Sequence, residues 1–111
     1  MEIKKGGRTI DIGKIKKVNF IGKATGLMFC RREKADSLLF EFKRPTKMKI
    51  HSYFVFFPFL AIWLNKDDKI LALKKVKPFK INIGISKPYS NLLEIPINKK
   101  NKKIIELLDG D

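Results

Sequence analysis

Cys30, His51, Arg31 and Arg32 are the residues of this sequence best suited to chemistry: its one cysteine, its one histidine and two adjacent arginines. A thiol beside guanidinium groups is a candidate nucleophile, because positive charge favours the thiolate. His51 could act as its base, but no motif supplies a third group to orient the imidazole. The set reads better as a ligand site, with Arg31 and Arg32 holding an anion and Cys30 and His51 beside them. Each member also has a plain structural role. Cys30 fits a small buried position at a helix end, and cations are favoured there by the helix dipole. Alternation through "KIHSYFVFF" would put His51, Tyr53, Val55 and Phe57 on one strand face, where a lone histidine usually makes a structural hydrogen bond. No metal centre is expected, since only Cys30, His51 and scattered carboxylates could ligate one. Asp67 and Asp68 in "NKDDK" read as turn formers. With no glycine-rich phosphate loop or serine elbow, neither a cofactor nor a catalytic residue is assigned.

Charge is the second signal. The 111 residues carry a net charge of +14, and of 25 basic residues only Arg8, Arg31, Arg32 and Arg44 are arginine. Such an excess attracts nucleic acid and acidic surfaces, yet bidentate reading of phosphate and guanine favours arginine over lysine. The densest run, Lys99, Lys100, Lys102 and Lys103, is the candidate nucleic-acid contact; its plain reading is a solvated helix face. Abundant lysine without any glutamine also suits a heat-adapted source, although asparagine is not depleted. One cysteine excludes an intramolecular disulfide and fits a reducing compartment. "MEIKKGGRTIDIGKIKK" has no apolar stretch of the secretory kind, so a cytoplasmic location is expected.

These residues need elements to position them, and the length suits a single β domain over 1–111. The apolar run "FVFFPFLAIWL" is too short for a membrane-spanning helix, which needs about 20 residues, and Pro58 would break one. It reads as two buried strands, "MKIHSYFVFF" and "FLAIWLN", bent at Pro58. "EIKK-GG-RTIDI" predicts a hairpin turned at Gly6 and Gly7. Asn19 could cap a helix through "FIGKATGLMF". "SLLFEF" predicts a strand, "KRPTK" a turn, "ILALKKV" a strand ended by Pro78, and "LLEI" a strand closed by Pro96. The last helix would be capped by Asn98 or Asn101, with Ile104, Ile105, Leu107 and Leu108 buried. Together these predict a mainly β fold, an antiparallel sandwich-like or barrel-like domain with one or two short helices.

From "GLMFCRREKADSLLFEF" onward the chain resembles the small archaeal and bacterial family known as domain of unknown function 192. Gly26, Leu27, Met28 and Phe29 resemble its Gly-Leu-Met-Phe-Arg motif, with Cys30 intervening before Arg31. "SLLFEF" is similar to its "GMLF" strand. "IHSYFVFFPFLAIWLN" resembles the stretch after it, with His51, Pro58, Trp63 and Asn65 in corresponding places, and "VKPF" and "LLEIP" resemble later elements. Leu60 stands where the resemblance places an aspartate, and the strand that usually follows the family's Gly-Asp is expected to be absent or supplied differently after Gly110 and Asp111. The resemblance implies an all-β sandwich or barrel with a short helix at the Gly-Leu-Met motif, and no particular activity. The expected function is a non-enzymatic binding or interaction module for an unknown small ligand or protein partner. Sequence-nonspecific nucleic-acid binding through lysine is the alternative, and an enzyme using Cys30, His51 and Arg31 the third reading. Oligomeric state is left open.

Overall fold

The computed structural model describes residues 1–18, 27, 30–52 and 54–109. Gly6 and Gly7 have φ of 54° and 81°, the positive pair that a type I′ turn requires. They fold β1 (Glu2–Lys5) onto β2 (Arg8–Asp11), as expected, with Ile3 opposite Ile10. β3 (Lys16–Val18), a strand the sequence did not signal, runs parallel to β4 (Leu38–Thr46). β5 (Phe59–Leu64), β6 (Ile70–Val76) and β7 (Tyr89–Pro96) complete a five-stranded sheet of order β3-β4-β7-β5-β6, antiparallel apart from its first pair. A 3₁₀ turn at Arg32–Lys34 precedes β4, and another at Lys99–Asn101 leads into helix α1 (Lys102–Asp109).

β5 lies between β6 and β7, and every one of its residues is buried. A strand reads as a continuous apolar run when both faces of its sheet are covered. On one face Phe59, Ala61 and Trp63 join Leu38, Phe40, Tyr89 and Leu92, closed over by loop residues that include Leu27, Ala35, Ile50, Val55 and Phe57. On the other, Leu60, Ile62 and Leu64 meet Leu39, Leu93 and Ile95 under Ile3, Ile10 and Leu108, so the hairpin and α1 form that lid. The fold is mainly β and sandwich-like; among the described residues the strands do not close a barrel.

The strand expected over "MKIHSYFVFF" does not form. Among the described residues of that stretch only Ile50 makes a bridge, to Ile83, before Ser52 turns the chain. Ser52 is fully buried. Its N–H donates to Lys80 O at 2.8 Å, and its carbonyl accepts from Val55 N at 3.1 Å and Phe79 N at 2.9 Å. Its hydroxyl donates to Lys77 O and accepts from Lys80 N, both at 2.7 Å. The β4–β5 and β6–β7 loops are thereby stapled together. Val55 and Phe57 reach the core from a loop, while Phe54 and Phe56 are exposed. No strand face gathers His51 with Val55 and Phe57, and Tyr53 lies outside the described residues. Phe54 and Phe79 sit at φ of 58° and 59°, a left-handed conformation that disfavours side-chain-bearing residues by about 1–2 kcal/mol each. The Ser52 bonds hold both loops against that strain. Ser52→Ala should destabilise the protein by about 1–3 kcal/mol, because two backbone groups lose their partner. Hydrogen exchange should speed up at Lys80 above all, and unchanged exchange there would exclude the staple.

"KRPTK" also departs from expectation: most of it extends β4. The register against β7 shifts between Glu41 and Thr46, and Pro45 falls in that irregular stretch, where its missing N–H is tolerated. In α1, Leu108 is buried and Ile104 and Ile105 half-buried, but Leu107 is 52% exposed, so the apolar stripe is narrower than expected. The helix expected from Asn19 through "FIGKATGLMF" lies outside the described residues, Leu27 apart.

Candidate anion-binding groove

Two segments far apart in sequence are stitched together where β7 ends. Arg32 Nε donates to Ile97 O at 2.7 Å, and Asn98 Nδ2 donates to Arg32 O at 2.8 Å. Lys99 N donates to Glu33 Oε1 at 2.9 Å, and Lys100 Nζ lies 3.9 Å from Asp36 Oδ1. Both expected cap residues contribute. Asn98 Oδ1 accepts from Asn101 N at 3.1 Å, and the Asn101 amide donates to Pro96 O at 2.9 Å. Both asparagines are buried, so this turn is held from inside.

Between the segments opens a groove of about 400 Å³. Ile97 and Ile105 give it apolar wall, Arg32, Lys99 and Lys102 supply cations, and Glu33 and Glu106 supply carboxylates. Glu33 is already engaged by Lys99 N. Arg32 uses one N–H on Ile97, and a guanidinium has five, arranged as a fork that fits carboxylate or phosphate oxygens. The arrangement suits an anionic head on an apolar body.

The groove unites residues from two separate candidate groups: Arg32 from the ligand set, and Lys99 and Lys102 from the lysine run. Cys30, Arg31 and His51 do not line it. Cys30 is half-buried against the first core, Arg31 is exposed at the start of the 3₁₀ turn, and His51 is half-buried in the β4–β5 loop. Lys103 is exposed. Among the described residues no three His, Cys, Asp or Glu side chains cluster as metal ligands, and no helix is long and apolar enough to cross a membrane.

The sequence reading missed Glu94. It sits on β7 between Leu38 of β4 and Ala61 of β5. It is 7% exposed, and burial pushes its carboxyl up to about 8. Burial also raises the Tyr89 phenol to about 12, with the Glu94 carboxylate adding to the effect. Tyr89 OH donates to Met48 O at 2.6 Å. Beside this ring lies Trp63, whose Nε1–H finds no acceptor among the described residues. One signal was present in "NLLEIP": a strand buried on both faces must bury its glutamate wherever it points.

The family model of domain of unknown function 192, an uncharacterised group, matches residues 2–108. The chain belongs to this family. Two solved structures share the DUF192 chain's fold. One is a protein of unknown function from Novosphingobium aromaticivorans: TM-score 0.64, 17% identity, covering 74% of this chain and 61% of the other. The other is a candidate transcription regulator from Sinorhizobium meliloti: TM-score 0.72, 22% identity, covering 94% of this chain and 81% of the other. The chain therefore spans about three fifths of the Novosphingobium protein. No curated protein matches the sequence. Leu60, the residue expected at an aspartate position of the family, is buried in the second core.

Proposed function

We propose that this DUF192 protein is a non-enzymatic binding module whose groove takes a small amphiphilic anion. One observation carries the reading: Arg32, Lys99 and Lys102, from two segments tied by four cross-links, border one groove with Ile97 and Ile105 in its walls. Prepaid order of this kind raises affinity by reducing what must be fixed on binding. Octanoate and octyl phosphate are suitable probes. Titration followed by amide chemical shifts should move residues 97–106 and the Arg32–Lys34 turn together. Lys102→Ala should weaken binding by roughly tenfold, as for a charge-assisted contact of about 1.5 kcal/mol. Shifts scattered over the surface, or none at saturating probe, would end the proposal.

The nucleic-acid alternative draws support from the net charge of +14 and from the description of the Sinorhizobium relative. It is weaker because Lys99 and Lys102 face the groove and Lys100 is beside Asp36, leaving Lys103 as the part of that run without such an engagement. The third reading, an enzyme, would need Cys30, His51 and Arg31 to converge, and the groove contains none of them.

A further inference from the structure

Among the described residues six large hydrophobic side chains are exposed, and five of them, Met48, Phe54, Phe56, Phe79 and Ile81, belong to the two loops stapled by Ser52. A soluble surface rarely gathers apolar residues this way without a partner to cover them. Phe79 packs edge-on against Phe56 at 5.4 Å and against Phe54 at 6.3 Å, so the three rings form one apolar knob. Phe54 and Phe79 hold their places through left-handed backbone rather than retreating inward.

The two loops that form the knob carry charge of one sign. No Asp or Glu occurs between Glu41 and Asp67, or between Asp68 and Glu94, while the same loops carry Lys47, Lys49, Lys77, Lys80 and Lys87. Next to them a pocket of about 320 Å³ is lined by Lys74, Lys75, Lys77 and Lys80, with Val76 and Ile83. Lys74 donates to Gly84 O, which braces that wall. An apolar tip ringed by lysine complements a surface that is anionic outside and hydrocarbon within.

We propose that these loops dock the protein on an anionic phospholipid bilayer. Phe54, Phe56 and Phe79 enter the boundary between headgroups and acyl chains, while Lys77, Lys80 and the adjoining lysine pocket meet lipid phosphates. Single-stranded nucleic acid would also use lysine and phenylalanine, but it stacks bases on open ring faces. Here the rings pack edge to face on one another, and aliphatic Met48 and Ile81 share the exposure. Lipid takes all five side chains; bases do not. This inference is independent of the groove at Arg32.

The test is cosedimentation of the whole chain with vesicles of phosphatidylcholine alone, or of equal parts phosphatidylcholine and phosphatidylglycerol. Binding is expected to the second only. The triple variant Phe54→Asn, Phe56→Ser, Phe79→Asn suits the backbone, since asparagine tolerates positive φ; it should keep its melting temperature and lose at least about tenfold in vesicle affinity. Lys77→Glu with Lys80→Glu should abolish binding. Lys14→Glu with Lys103→Glu, both exposed and away from the two loops, changes the net charge equally and should reduce it far less. The proposal is overturned if the triple variant binds as well as the parent, or if the two charge variants lose binding equally. It is also overturned if vesicles are ignored while oligo-dT binds in a phenylalanine-dependent way.

Discussion

Stability should fall as pH rises from about 4.5 to about 8, and Glu94→Gln should remove that fall. In the unfolded chain the Glu94 carboxyl ionises near 4.5; in the fold, burial holds its proton until about 8. Below both values the group is protonated in either state and imposes no penalty. Between them the folded state binds the extra proton, so each rise in pH favours unfolding by about 1.4 kcal/mol per unit. The full window would amount to about 5 kcal/mol as an upper limit, against a typical domain stability of about 5–15 kcal/mol. Above about 8 the curve should level, because the carboxyl is then ionised in both states. Glutamine keeps the shape and cannot ionise, so the variant should be the more stable protein at pH 9 and show a flatter profile. Urea unfolding at several pH values measures this directly. An equally steep decline in the variant would mean that Glu94 is not its source.

Phe57→Ala should destabilise the fold by about 3–5 kcal/mol, whereas its neighbour change Phe56→Ala should shift stability by less than about 0.5 kcal/mol. Phe57 is 2% exposed and packs in the core of the first sheet face, while Phe56 is 60% exposed. Removing a buried ring forfeits its transfer energy and leaves a cavity that the surrounding strands only partly fill. Trp63 is fully buried in the same cluster, so its emission should be short in wavelength and shielded from iodide in the parent protein. Comparable losses at both phenylalanines would contradict the loop path set by Ser52, as would ready quenching of Trp63.

Local pattern was enough for some elements and not for others. Gly6 and Gly7 flanked by alternating residues specified a hairpin, since two adjacent positive-φ positions leave the chain few other courses. "FLAIWL" and "ILALKKV" around "NKDDK" were legible as strands because apolar content and turn chemistry agree there. Asn65 completes that turn by accepting from Asp67 N and Lys69 N. The same logic failed at "MKIHSYFVFF", where strand propensity is strong. Five hydrogen bonds to Ser52 from residues as distant as Lys80 outweigh it, and nothing local announces a partner 28 residues away.

The sequence alone determined that the chain would form a mainly β fold with a buried apolar strand, and its motifs pointed to the DUF192 family. Periodicity, turn residues and hydrophobic content are properties of neighbours along the chain, so these conclusions needed no tertiary knowledge. Which side chains meet was decided only in three dimensions. Arg32 and Lys99 looked like members of unrelated sets until the end of β7 brought the 3₁₀ turn alongside α1. Glu94 looked like an ordinary strand residue until both faces of its sheet were covered. Phe54 and Phe56 looked like core until the backbone and hydroxyl bonds of buried Ser52 redirected the chain and left them outside. Burial and proximity depend on how layers stack, and no window of neighbouring residues contains that information.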